Sequence, residues 1–372
     1  MKITKLETIF VKPRWMFLKM YTDEGLVGLG EPIVEGRART VAAAVHEFEE
    51  YLIGQDPRRI EHHWQVMYRS TFYRGGPILV SAISGIEQAM WDILGKSLGV
   101  PVYQLLGGAC RDRIRIYSQC HGETAEAVAA RAKELVTEGF TALKTAIDAP
   151  VRLIDTKAYI KGQVKRIEMI REAIPDTVDL AVDFHGRSSP AMSIQLAKAF
   201  EDYNLMFIEE PVLPHSVDAL VTVARSTKIP VATGERLFTR WGFREVLEKQ
   251  AAAIVQPDLC HAGGIGEVRK IANMAETYYA AVAPHNPLGP ISLGACLQVD
   301  ACVPNFLCQE QITLGEGYLK QPFVQTNGYV ELPTAPGLGI ELDEEALVSM
   351  ADDGSWGTPR LFYDDDGSLA EW

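Results

Sequence analysis

The chain has 372 residues, 47% of them apolar and 23% charged, with a formal net charge of -13 at pH 7. That length exceeds one ordinary domain and carries enough apolar material for a large core, so one barrel of roughly 200 to 250 residues plus a second unit is the default. The acidic balance, with no basic run to neutralise phosphates, argues against nucleic acid as a partner. No apolar run approaches the ~20 residues that span a bilayer.

Met1-Lys2-Ile3-Thr4 opens a strand-like stretch rather than a signal peptide, so a soluble, cytoplasmic protein is expected. Residues 1-112 read as an α+β unit. Ile3 to Val11 and Trp15 to Thr22 have strand character, and Asp23-Glu24-Gly25 supplies a turn before Leu26-Val27-Gly28-Leu29-Gly30-Glu31. Helical patterns follow at Thr40 to Leu52, Ile60 to Ser70 and Ile78 to Leu98, the last stopping at Gly99 before Pro101. Gly107-Gly108 marks the junction.

From Ile114 the pattern changes to short apolar runs alternating with helical stretches. Strands are expected at Ile114 to Ser118 and Thr141 to Ala146. Six later runs each end in a carboxylate or a histidine: Asp183, Glu209, Glu235, Asp258, His285 and Glu310. These residues recur at intervals of about 25, the length of one strand, one helix and two short loops. Eight such units close a (β/α)8-type barrel, whose strand C-termini converge on one mouth. The barrel is expected over residues 113-325. The Gly/Pro-rich segment 326-372 has too little periodicity to fold alone and is expected to pack back on the N-terminal unit. The six cysteines include no Cys-x-x-Cys pair and read as buried reduced thiols rather than a zinc site or disulfides.

Asp183, Glu209 and Glu235 end three successive strands. Brought together, they would repel one another unless a cation sat between them, and hard oxygen ligands of this kind select Mg2+ over zinc. Singly each is more often a solvated loop acid; the repeated placement reverses those odds. On a continuing strand His185 would face the same way as Asp183. Asp258 ends the strand next to that of His285, and a carboxylate beside a histidine fixes its tautomer and raises its basicity, which suits a general base. Either histidine alone would read as packing. Glu210, by alternation, faces away from Glu209 and has a structural role. His215 and the pair Arg14-Trp15 are candidate substrate contacts from loops, and His121 lines or caps the mouth. His46, His62, His63 and His261 read as surface or packing residues. The glycines at Gly28-Leu29-Gly30 and Gly263-Gly264-Ile265-Gly266 lack a full dinucleotide fingerprint and fit turns and close packing better.

At these residues the sequence resembles the enolase superfamily, in its mandelate racemase subgroup, and within it the D-galactonate dehydratases. The resemblance runs through Pro13-Arg14-Trp15, Phe72-Tyr73-Arg74-Gly75-Gly76-Pro77, Asp183-Phe184-His185-Gly186-Arg187, Ile208-Glu209-Glu210-Pro211, Gly234-Glu235-Arg236, Gln256-Pro257-Asp258, Ala283-Pro284-His285 and Ala370-Glu371-Trp372. It implies a (β/α)7β barrel under an α+β capping domain, with the loop around Arg14 and Trp15 closing over substrate. It also implies that Asp183, Glu209 and Glu235 bind Mg2+, that His285 with Asp258 is the base, that His185 is the acid, and that Glu310 bonds the enolic intermediate. Lys144-Thr145-Ala146 keeps only the first lysine of the Lys-x-Lys that racemases of the superfamily usually carry, so Lys144 is expected to act electrostatically near substrate. Cys120-His121-Gly122 and Thr145-Ala146-Ile147 differ from the galactonate dehydratase pattern, which leaves the sugar open.

The expected activity is Mg2+-dependent dehydration of an aldonate to a 2-keto-3-deoxy sugar acid. D-Galactonate comes first, with gluconate, mannonate or a pentonate behind it. His185 is expected to start protonated, helped by the neighbouring acids. A racemase or epimerase on the same scaffold is the first rival, and a catalytically silent sugar-acid-binding protein the second. A homo-oligomer, from dimer to octamer, is also expected.

Overall fold

The computed structural model describes residues 1–372. Its first part is an antiparallel sheet of β1 (Ile3–Val11), β2 (Trp15–Thr22) and β3 (Val27–Gly30), followed by α1 (Ala38–Glu47), α2 (Glu49–Leu52), α3 (Ile60–Arg69), α4 (Pro77–Leu98) and α5 (Val102–Leu105). Helix α4 starts on Pro77 after Gly76 and stops where Gly99 turns left-handed, at φ 70°, the usual grammar of a helix with a fixed beginning and end. The sheet lies directly on this helix. A Cβ on Gly30 would sit 1.9 Å from the Gly85 carbonyl oxygen, and one on Gly28 would sit 2.1 Å from that of Ala89. The two glycines are therefore contact surfaces between a strand and a helix, and carry no phosphate-binding turn.

The barrel follows in strict alternation. Its elements are β4 (Arg113–Gln119), α6 (Ala125–Thr137), β5 (Ala142–Ala146), α7 (Lys157–Ala173), β6 (Asp179–Asp183), α8 (Pro190–Phe200), β7 (Phe207–Glu209) and α9 (Val217–Ala224). They continue through β8 (Val231–Thr233), α10 (Thr239–Glu248), β9 (Ile254–Val255), α11 (Ile265–Thr277), β10 (Ala281–Val282), α12 (Pro290–Cys302) and β11 (Gln309–Glu310). Strands β4 to β10 pair in order and in parallel. The ring closes where β11 pairs with β4, and where Val282 bridges to Phe306 just before β11. Eight strands and seven intervening helices make a (β/α)7β barrel. Threonine and serine hydroxyls set several helix starts: Thr124, Thr156, Ser189 and Ser216 each accept from the amide three residues on, satisfying donors that a helix N-terminus leaves orphaned.

The barrel interior is filled by one layer drawn from all eight strand positions: Tyr117, Ala142, Ala181, Phe207, Ala232, Ile254, Ala283 and Cys308. Four alanines make room for the two large rings, as a tapering interior requires. Side chains alternate along a strand. The inward positions two residues further toward the mouth are therefore Gln119, Lys144, Asp183, Glu209, His285 and Glu310, so the polar site is stacked on this plug.

After the barrel, β12 (Gln325–Thr326) and β13 (Tyr329–Glu331) form a hairpin whose second strand pairs antiparallel with the start of β4. The chain then returns to the first unit: Gly337 bridges to Pro101, Leu338, Ile340 and Leu342 enter the same apolar cluster as β2 and α4, and Ala351 after α13 (Glu344–Ser349) bridges to Val11. Five cysteines are buried, Cys110 is exposed, and all six are free. No helix is long and apolar enough to cross a membrane.

Two buried carboxylates bolt the first unit to the barrel. Glu87 of α4 accepts from the amides of Ile265 and Gly266 at 2.8 Å, and Glu31 accepts from Gly289 N at 2.7 Å and Ser292 N at 2.9 Å. Each caps a barrel helix, α11 or α12, from outside the barrel, where the helix dipole favours an acceptor. Burial pushes Glu31 up to about 8 and Glu87 up to about 7, against the donors that favour the charged form.

Glu87→Ala should lower stability by about 2 to 4 kcal/mol, because buried amides and the Trp91 indole N–H lose their acceptor; an unchanged urea midpoint would contradict this. Both acids bind protons more tightly folded than unfolded, so their contribution is full below the ordinary carboxylate range and is lost as pH rises through about 7 to 8. Glu87→Gln, uncharged at every pH, should flatten part of that fall in a urea midpoint against pH series.

Candidate active site

At the barrel mouth one oxygen each from Asp183, Glu209 and Glu235 lie within 4.8 Å of one another. At an effective dielectric of ~20, two carboxylate charges at such a spacing repel by about 3 kcal/mol. Lys144 supplies the permanent positive charge. Its buried Nζ lies 2.9 Å from Glu209, 2.8 Å from Glu310 and 3.5 Å from Asp183, above the Tyr117 ring. Burial alone would lower the lysine, but Glu209 and Glu310 raise it well above its ordinary value. Burial, then Asp183, pushes Glu209 up to about 7, while Lys144 and His285 outweigh burial at Glu310 and hold it at about 2. The donor set, three carboxylates with at least one oxygen each facing a common point, fits a hard divalent cation.

His285 stands on the β10 side. Its Nδ1 is 2.8 Å from Asp258 Oδ2, and its Nε2 is 3.3 Å from Glu235 and 3.9 Å from Glu310. Asp258 is fully buried and its other oxygen accepts from Cys260 N at 2.6 Å, so the carboxylate is fixed before it fixes the imidazole. Burial would lower His285, but Glu235 and Glu310 raise it well above the ordinary histidine range. Glu310 is held by Asn286 N at 2.9 Å and by Gln119 Nε2 at 2.6 Å, and Gln119 in turn bonds the exposed His121 at 2.7 Å.

His185 reaches the mouth by a route different from the one expected. Strand β6 stops at Asp183, and His185 adopts a left-handed backbone, φ 51°, so no continuing strand aligns the two side chains. The turn is closed by His185 N donating to Asp183 Oδ1 at 2.7 Å, which leaves His185 Nε2 3.4 Å from Asp183 Oδ2. Burial, then the Arg187 guanidinium, push His185 down to about 3 and so oppose the expected cationic form. In the ring of eight strands, β6 and β10 are four apart, so the two histidines flank the carboxylates from opposite sides.

Glu210, also left-handed at φ 41°, turns away from the mouth into a buried pair with Arg236, Oε2 to Nη2 2.6 Å, and Arg236 Nη2 continues to the His185 carbonyl at 3.3 Å. The expected substrate contacts divide. Arg14, half-buried in the turn after β1, reaches Pro287 O at 3.5 Å, beside the His285 loop. Trp15 is instead a core residue, 3% exposed with its ring centroid 5.1 Å from that of Tyr318, although its indole N–H has no partner. His215 is exposed in the loop between β7 and α9.

Two features escaped the sequence. His261 is buried beside the His285–Asp258 pair, 3.7 Å from Asp258 and 3.5 Å from Glu35 of the first unit, so it is neither a surface nor an ordinary packing histidine. Its position three residues past Asp258 was the available signal. Trp372 packs on His185, for which the sequence offers no local cue.

Two family models match the chain, the mandelate racemase / muconate lactonizing enzyme N-terminal domain over residues 6–107 and the enolase C-terminal domain-like family over residues 127–346. A protein from Ralstonia nicotianae named D-galactonate dehydratase is 49% identical over 383 residues, covering 100% of both chains. One of the same name from Cronobacter sakazakii is 50% identical over 384 residues with the same coverage. Among solved structures, a mandelate racemase/muconate lactonizing enzyme from a Jannaschia species superposes with TM-score 0.90 at 34% identity, covering 95% of this chain and 98% of that one. An enolase superfamily member from Salmonella Typhimurium gives 0.89 at 34% identity, covering 93% and 97%.

Arg236→Met should destabilise the protein by about 3 kcal/mol by stranding the Glu210 carboxylate in the interior. The double change with Glu210→Gln should recover most of the loss. Urea unfolding of the two variants checks this; equal stabilities would refute the pairing.

Proposed function

We infer, for a chain that belongs to the mandelate racemase/muconate lactonizing enzyme family of the enolase superfamily, that it is a Mg2+-dependent sugar-acid dehydratase with D-galactonate as its leading substrate. The observation that carries the reading is the pair of histidines on opposite sides of three clustered carboxylates, in a chain about half identical to D-galactonate dehydratases.

Asp183, Glu209 and Glu235 would hold the Mg2+. When bound, the ion supplies positive charge that favours chelation of the substrate carboxylate and acidifies the neighbouring C2 proton. A cation held by Glu235 would offset the carboxylates that raise His285 and leave its Nε2 free; His285, its ring oriented by Asp258 through Nδ1, then takes the C2 proton at Nε2, and the electron pair moves into the substrate carboxylate. His185, from the other side, gives a proton to the C3 oxygen as the C3–O bond breaks and water leaves. The remaining enol takes up a proton at C3 and ketonises, so the balance is loss of one water and formation of a 2-keto-3-deoxy acid. The negative charge an aldonate brings into the mouth favours the protonated form of His185. Lys144 would give the enolic oxygens a cationic partner and Glu310, ionised beside it, would accept from an enolic hydroxyl, while Arg14 reaches over the rim. The opposed histidines would also suit a racemase, which needs a base on each face of C2; a 2-keto product separates the two readings. Gluconate, mannonate and pentonates belong in the same screen.

EDTA should abolish 2-keto acid formation and Mg2+ restore it, and Glu209→Gln should weaken Mg2+ binding by calorimetry; full turnover by the metal-free protein would sink the assignment. His285→Asn should lose both dehydration and exchange of the C2 hydrogen with solvent deuterium. His185→Asn should stall elimination while deuterium enters C2 of recovered substrate, because His285 still removes and returns the proton. Wild-type exchange in His285→Asn would reverse the roles.

A further inference from the structure

Residues 352–372 have no part in the reaction as derived, yet they run from the first unit across to the barrel mouth. They leave the first unit where Asp352 N donates to Phe10 O at 3.0 Å and Arg39 pairs with Asp353 at 3.0 Å. Thr358 then packs against Gly36 so closely that a Cβ there would lie 2.4 Å from its hydroxyl. A short hairpin follows, closed by Tyr363 N to Ser368 O and Ala370 N to Leu361 O, both at 2.9 Å.

This hairpin is fastened to the loop between β5 and α7. The Tyr363 hydroxyl donates to Val151 O at 2.8 Å. The Arg152 guanidinium lies 4.2 Å from the Tyr363 ring centroid and pairs with Asp365, with Asp366 at 3.5 Å. The strap delivers Trp372 onto His185, with ring centroids 5.6 Å apart and planes at 88°. Edge-to-face packing of this kind restrains the plane of the imidazole and excludes water from one of its sides.

Two polar atoms beside Trp372 lack any partner. His185 Nδ1 and Arg187 Nε are both buried and unbonded, and the Arg187 guanidinium lies 5.5 Å from the Trp372 ring centroid. A buried polar atom left unpaired is costly, so both favour an incoming hydroxyl. His185 itself hangs on a left-handed turn with one backbone bond to Asp183, and so it needs lateral support to hold one orientation.

We propose that Trp372, carried by the 352–372 strap, is the positioning residue for His185, holding the imidazole against the substrate's C3 hydroxyl during elimination. The proposal rests on the dehydratase reading. Proton removal at C2 belongs to His285 on the far side of the mouth, so loss of Trp372 acts on the second half of the reaction and spares the first.

The test is Trp372→Ala and Trp372→Phe, assayed with D-galactonate and an aldonate panel in deuterated water. Trp372 is 41% exposed, so truncating it opens no core cavity. Trp372→Ala should lower kcat for 2-keto acid formation by roughly 10- to 100-fold, and deuterium should appear at C2 of recovered substrate. Trp372→Phe, which keeps an aromatic edge, should recover to within roughly threefold of wild type. Unchanged kcat in Trp372→Ala overturns the proposal, as does a loss of kcat with no deuterium at C2, which would mark a general structural defect. A wild-type enzyme that forms no 2-keto acid from any aldonate overturns the dehydratase reading and the proposal with it.

Discussion

Crowded negative charge is the constraint from which the site follows. Asp183, Glu209, Glu235, Asp258 and Glu310 all converge on one water-poor mouth, and Lys144 is the one lysine or arginine placed among them. Like charges at such spacings are tolerated only where the scaffold gives them no room to separate. The interior layer of four alanines and two large rings supplies that rigidity from beneath, and each carboxylate is further held by a backbone amide, a lysine or a histidine. Such a site suits a divalent cation and an anionic substrate, because the field that would receive them is already built.

The two histidines of the mouth are distributed by topology rather than by sequence distance. A histidine just past β6 and one just past β10 stand on opposite flanks because eight strands close the ring, and each is anchored differently. His285 is clamped from behind by Asp258, which is itself tied to Cys260 and neighboured by His261 and Glu35. His185 rests on a left-handed turn braced by Arg236 and by Trp372. His285 is thus part of the frame, while His185 depends on packing from distant segments.

The strand-end carboxylates and the His285–Asp258 pair were legible in the sequence because parallel-barrel strands alternate with helices at a nearly constant interval, and chemistry accumulates at one end of each strand. What stayed hidden depends on contacts between remote segments. A tight turn after β6 erases the strand alternation that seemed to align His185 with Asp183, and nothing local marks it apart from Gly186. Trp15 was expected to open β2, as it does, but it also read as a substrate contact beside Arg14, whereas its side chain is buried against Tyr318, a partner some three hundred residues away in the chain. His261 looked like filler until the first unit's Glu35 was seen beside it. The capping of α11 and α12 by Glu87 and Glu31 was equally invisible, since capping rules look for the acceptor within the same turn of chain.

Strand β4 pairs with β5, and its remaining edge partners are β11 near the mouth and β13 toward the opposite end. Both of those edge partners, and the Gly337 to Ala351 stretch that completes the first unit, leave the ribosome after almost everything they join. The opening strand of the barrel therefore waits, half-paired, through most of translation, and the first unit waits with it. Such long-range closure slows folding and keeps a sticky edge available to other chains. The two units consequently share the late segments that complete them, so neither is finished before residues 309–351 are in place.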